Sequence, residues 1–157
     1  MRIFILAPTP MMQAGLHSLL TSNEIQIIGT SAQPGALSEV ATDIDVVVVA
    51  DELLLEELAP TLANTPMVAL VLLTNTEERT LPRLRALDVR GWGVVPLDAS
   101  ALQLQAAVHA VAQELVILPK VHMQRLYDNR VLTEVRTIEQ LDETLTAREH
   151  EVLDLVG

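Results

Sequence analysis

The side chains best suited to proton transfer near neutral pH are four histidines, His17, His109, His122 and His150, and each stands alone on a stretch with helical character. There is no serine with a His/Asp arrangement, no Gly-x-Ser-x-Gly elbow, no P-loop and no His-Glu-x-x-His pair. The histidines therefore read as surface or half-buried residues. Gly91-Trp92-Gly93 begins like a dinucleotide fingerprint, but Pro96 stands where the third glycine belongs and the run precedes a strand, so nucleotide binding is not supported. Trp92 reads as a packing or interface anchor. The absence of cysteine excludes disulfides, thiolate nucleophiles and sulfur-ligated zinc. Asp51 sits where a strand gives way to a helix, a place where a carboxylate favours the N-terminal dipole. The residues point to no enzyme, no metal and no cofactor.

Those side chains are carried by 157 residues, about one domain and a fragment of a second. Half of the residues are hydrophobic and a fifth charged, so a sizeable core can form. With only Phe4, Trp92 and Tyr127 as aromatics, there is no platform for stacking single-stranded bases. Ten Lys+Arg against 21 Asp+Glu give a formal net charge of -11, the wrong sign for neutralising phosphates, so these residues alone should bind DNA poorly. The longest apolar run, Met67 to Leu73, is too short to span a bilayer, and Pro8 interrupts the apolar stretch after Arg2 that a signal peptide would need. A cytoplasmic protein is expected.

Five short apolar segments recur: Ile3 to Leu6, Ile25 to Gly29, Asp45 to Val49, Met67 to Leu73 and Gly93 to Val95. Continuous apolar runs are the pattern of strands buried on both faces, and hence of a parallel sheet. Helical stretches alternate with them. Thr9 and Pro10 open the first, with Met12, Leu16, Leu19 and Leu20 on one face; Ala36 to Ala41 forms the second; Glu52 to Leu58 forms the third, before Pro60 stops it. The fourth spans Glu77 to Leu87 and either starts near Pro82 or kinks there. Ser100 caps the fifth, whose stripe is Leu104, Val108, Val111 and Leu115. Its other faces carry Leu102, Ala106 and Ala110 with no charge between Asp98 and Glu114, a pattern that fits either an alanine-rich surface or a subunit interface. Alternating units of this kind give a doubly wound α/β fold over residues 1–116. A partly helical linker is expected over 117–144, with Val121, Met123 and Leu126 as sparse apolar positions of a helix from Lys120 to Asn129. Thr146 and Glu149 then form a capping box that opens a helix containing Val152, Leu153 and Val156.

Ile3-Phe4-Ile5-Leu6, Pro10, Gly15-Leu16, Leu19-Leu20, the strand Asp45 to Val49, Thr74, and Gly93 followed by Asp98-Ala99-Ser100 resemble the receiver domain of a two-component response regulator. Leu145 to Gly157 resembles the opening of a LuxR-type helix-turn-helix domain, and together the two ends resemble a NarL/FixJ-type response regulator. The resemblance implies a five-stranded flavodoxin-like sheet of order 2-1-3-4-5, a linker, and over 145–157 the first helix of a DNA-binding domain that continues beyond Gly157. It also implies a site. Receivers hold Mg²⁺ with two acidic residues after the first strand and a phosphoaccepting aspartate after the third, because a hard cation needs carboxylate oxygens. Here those positions match Ala7, Pro8 and Ala50; the lysine position matches Leu97 and the aromatic switch position Val94. Thr74 alone survives. Asp51 is one residue from the acceptor position, and strand alternation should turn it away from the pocket.

The expected function is that of an atypical response regulator: a transcription regulator whose receiver is not phosphorylated in the usual way. The receiver would serve dimerisation and signal input, with a protein partner or a small ligand at the altered pocket as candidate inputs. A homodimer is expected, through the face of the fourth helix, fifth strand and fifth helix with Leu102, Ala106 and Ala110 near it, or through another face such as that of the first and fifth helices, with DNA bound by the domain beyond Gly157. The other reading is a stand-alone flavodoxin-like ligand-binding or protein-interaction module that does not bind DNA.

Overall fold

A computed structural model describes residues 1–120 together with Met123, Gln124 and Asp128. The capping box at Thr146 and Glu149, the linker from Arg130 to Thr144 and most of the Lys120 to Asn129 helix lie outside the described residues. The chain divides into two compact units, Met1–Pro119 and Lys120–Gly157.

The first unit is a six-stranded parallel sheet of order β2-β1-β3-β4-β5-β6, made of β1 (Arg2–Leu6), β2 (Gln26–Ser31), β3 (Val46–Val49), β4 (Ala69–Leu73), β5 (Trp92–Val95) and β6 (Val116–Ile117). The helices are α1 (Pro10–Leu20), α2 (Leu37–Val40), α3 (Glu52–Ala63), α4 (Glu77–Ala86) and α5 (Ala101–Ala112). Register is continuous across the three central pairs, with Ile5 beside Val48, Val48 beside Val71, and Leu72 beside Val94. Because successive strand residues face opposite ways, the apolar runs feed two cores. Ile3, Ile5, Val46, Val48, Ala69, Val71 and Val95 share one cluster with Leu16 and Leu20 of α1 and with Leu104, Val108 and Val111 of α5. The alternate residues Leu6, Val47, Leu70 and Leu72 are also fully buried, as are Leu58, Leu62 and Leu84 of α3 and α4. Each such side chain contributes about 1.5–3 kcal/mol relative to exposure.

The five-strand order anticipated from the sequence holds, and β6 extends it. Val116 pairs with Trp92 and Ile117 with Gly93, so Ile117 belongs to the sheet rather than to a linker. Glu114, at φ 67, turns the chain out of α5 and toward this edge. Leu115 consequently leaves the helical stripe and is exposed. The third helix also differs from expectation: it runs through Pro60 to Ala63. An interior proline costs about 3 kcal/mol, and here the burial of Leu54, Leu55, Leu58 and Leu62 outweighs it. Pro82 likewise lies inside α4 rather than at its start. The second helical stretch splits into a 3₁₀ turn over Pro34–Ala36 and the single turn of α2.

Candidate functional site

The carboxyl ends of the strands, where ligands sit in open parallel α/β sheets, carry Ala7, Pro8, Ala50, Asp51, Thr74 and Leu97. Ala7 continues the parity of Ile3 and Ile5, and Ala50 that of Val46 and Val48; both methyls are buried in the α1/α5 core. Their backbones are tied into the sheet, Ala7 N–H donating to Ser31 O at 3.0 Å and Ala50 N–H to Leu6 O at 2.9 Å. Gln13 Nε2 also donates to Ala7 O, at 3.0 Å. Pro8 and Leu97 are exposed, and Val94 is fully buried. None of the positions 7, 8, 50 and 97 offers a charged oxygen or nitrogen. A magnesium ion with its phosphoryl partner therefore does not fit this donor set, since such an ion needs several carboxylate or carbonyl oxygens.

Asp51 has a different task. It is the N-cap of α3, and its Oδ1 accepts a hydrogen bond from Leu53 N–H at 2.9 Å. A carboxylate in that position satisfies a helix-terminal donor and lies against the positive end of the helix dipole.

Thr74 is buried, and its hydroxyl is already committed. It donates to Glu52 Oε1 at 2.7 Å, and its oxygen accepts from Thr76 N–H at 3.0 Å. Thr76 donates its own hydroxyl to the same Glu52 oxygen. These contacts hold the Glu52 carboxyl below its usual pKa of 4.5: the Thr76 hydroxyl is the largest cause, opposed by partial burial and assisted by Thr74 and by the positive charges of Arg79 and Arg83. Asn75 completes the loop by accepting from Leu97 N–H at 3.2 Å. A second rung lies one turn along α3, where Glu56 pairs with Arg83 of α4. Residues 52 and 56 share a helical face, so both carboxylates of that face point at the β4–α4 side.

The sequence reading singled out Thr74 and placed Asp51 near the start of the third helix, where it favours the dipole, but missed Glu52, Thr76 and Asn75. The signal was present as Asp51-Glu52 opening a helix and Thr74-Asn75-Thr76 closing a strand. Only the β3/β4 pairing brings the two loops together.

Exposed apolar side chains surround this end of the sheet: Met11 at the start of α1 (85 %), Leu53 in the first turn of α3 (66 %) and Leu97 after β5 (47 %). Farther along α5, Leu102 is 78 % exposed, Ala106 is exposed and Ala110 half-buried, while Gln105 Nε2 donates to Leu19 O and His109 pairs with Glu24 on the flank toward α1. Among the described residues there is no group of three His, Cys, Asp or Glu able to hold a metal ion. None of their helices is long and apolar enough to cross a membrane.

No protein-family model matches the chain, and no curated protein sequence matches it. Solved structures do. The isolated receiver domain of RcsB from Salmonella enterica serovar Typhimurium superposes with a TM-score of 0.65 at 19 % identity, covering 81 % of this chain and 98 % of that one. A LuxR family DNA-binding response regulator from Silicibacter pomeroyi gives 0.62 at 18 % identity over 76 % of this chain and 98 % of that one. ChrA, the response regulator of a heme-sensing two-component system, gives 0.61 at 24 % identity over 82 % of this chain and 64 % of that one. RcsB has also been solved as two dimers bound to two parallel DNAs, a structure matching with 0.61 at 18 % identity over 76 % and 64 %. The first unit thus has the fold of the receiver domains of response regulators.

Proposed function

We propose that this receiver-fold unit is the input and dimerisation module of an atypical response regulator, a DNA-binding transcription regulator whose receiver is not switched by aspartyl phosphate. One observation carries the reading: Ala7 and Ala50 put buried methyl groups where the fold otherwise places acidic side chains, and the Thr74 hydroxyl is engaged by Glu52 rather than left for a phosphoryl group. Replacing mutually repelling carboxylates by alanines stabilises the fold without a cation. The module does no chemistry of its own and signals through contacts. It works in the cytoplasm.

The solved neighbours support the regulator reading, since one is a DNA-binding response regulator and another is found as dimers on DNA. DNA contact belongs to a helix-turn-helix domain of the kind that Leu145 to Gly157 resembles in sequence. The dimer is built through Leu102, Ala106 and Ala110 on the outward face of α5. The apolar rim of Met11, Leu53 and Leu97 is where a small ligand or a protein partner supplies the input.

Sedimentation at several concentrations, with and without Mg²⁺ and beryllofluoride, tests the reading. The expected result is the same dimer in both conditions. A monomer that dimerises only with the phosphoryl mimic would restore a working phosphorylation pocket, with Asp51 as its acceptor.

A further inference from the structure

We propose that α4 is held in place by a two-rung acidic latch from α3, Glu52 on the hydroxyls of Thr74 and Thr76 and Glu56 on Arg83, and that neutralising Glu52 releases α4 while the sheet stays intact. The inference rests on contacts around α3 and α4, so it stands apart from the assignment as a regulator.

α4 has little support of its own. Its N-cap, Thr76, makes no side-chain capping bond, because its hydroxyl is turned to Glu52. Pro82 has no N–H to donate to the preceding turn, and a helix of 10 residues is marginal without tertiary support. Only Thr80, Leu81 and Leu84 are buried among its described side chains, and Arg79, Arg83 and Arg85 are exposed. By contrast α3, which supplies both carboxylates, is capped by Asp51 and buries four leucines. The latch therefore joins a firmly packed helix to a weak one.

Both rungs come from the same face of α3 and reach different parts of the neighbouring segment. Glu52 fixes the loop over 74–76, and Glu56 fixes the second half of α4 through Arg83. The loop is tied on its other side through Asn75 Oδ1 and Leu97 N–H. With Glu52 in this position the loop needs no bound anion to order the Thr74 hydroxyl. Loss of the negative charge weakens the hydrogen bonds from Thr74 and Thr76 to their shared acceptor and removes the favourable field that Arg79 and Arg83 share with it. Low-stability elements of this kind open locally, without global unfolding.

Amide hydrogen exchange of the chain tests the proposal directly. Glu52→Ala should raise exchange over residues 74–86 at least tenfold while β1 and β3 keep their protection, and Glu52→Gln should give a smaller rise, because its amide oxygen still accepts. The double change Thr74→Val with Thr76→Val should reproduce the Glu52→Ala pattern with the carboxylate intact. That variant also serves if Glu52→Ala does not fold. Unchanged exchange over 74–86 in either variant would overturn the latch, and so would a rise spread equally over β1 and β3.

Discussion

α5 and α4 lie on opposite sides of the same sheet and are held to it by different means. α5 has a complete capping box, Ser100 accepting from Gln103 N–H at 3.2 Å while Gln103 Oε1 accepts from Ser100 N–H at 3.0 Å, and it buries Leu104, Ala107, Val108 and Val111. α4 has an uncapped start, an interior proline and polar tethers to α3. Packing is insensitive to charge, whereas a carboxylate tether depends on its ionisation. α5 is therefore a fixed part of the floor, and α4 is the element that the proposed latch would let go.

The largest losses of stability are expected on the α5 side. Leu104→Ala should cost about 2–5 kcal/mol in denaturant unfolding, because a fully buried side chain is lost from the floor itself. Gly91→Ala comes next, at about 1–3 kcal/mol: a Cβ there would stand 2.4 Å from the Val111 carbonyl at the end of α5, which cannot retreat without moving the helix. Ser100→Ala should cost about 1 kcal/mol by removing the cap, a loss that α4 has no counterpart for.

The pH dependence sharpens the contrast. The Glu52 carboxyl lies below its ordinary 4.5 in the folded protein, so its contribution is fully present above 4.5 and is lost as pH falls through the lower folded value. Exchange over 74–86 should rise on that acid limb before exchange in β1 does, and Glu52→Gln should flatten the difference. The smallest stability effect, within about 0.5 kcal/mol, is expected for Ala106→Glu on the exposed face of α5. Its readout is assembly: sedimentation should show monomers, and an unchanged dimer would remove this face from the interface.

Much of the floor was legible in the sequence. Continuous aliphatic runs such as Val46 to Val49 allowed only strands covered on both faces, and Ser100 marked the start of α5 without ambiguity. The reading faltered where tertiary packing overrode a local rule. Pro60 is a helix breaker by propensity, yet four buried leucines carry α3 past it. Leu115 fits the helical period, but the left-handed turn at Glu114 takes it out of register and builds β6 instead. At the candidate site, the resemblance pointed to Ala7, Pro8 and Ala50 one by one. The Glu52 latch could not be read in that way, because its partners lie 22 and 24 residues apart in the chain and meet only through the loops at the carboxyl ends of β3 and β4.

The proposed function requires a receiver fold that works without phosphoryl chemistry. Intact-mass measurement after incubation with a small acyl phosphate and Mg²⁺ tests it most directly. The chain is expected to stay unmodified at every time point. A single phosphoryl adduct that disappears in Asp51→Asn would contradict it, and would show that the carboxylate capping α3 leaves its helix to accept the group.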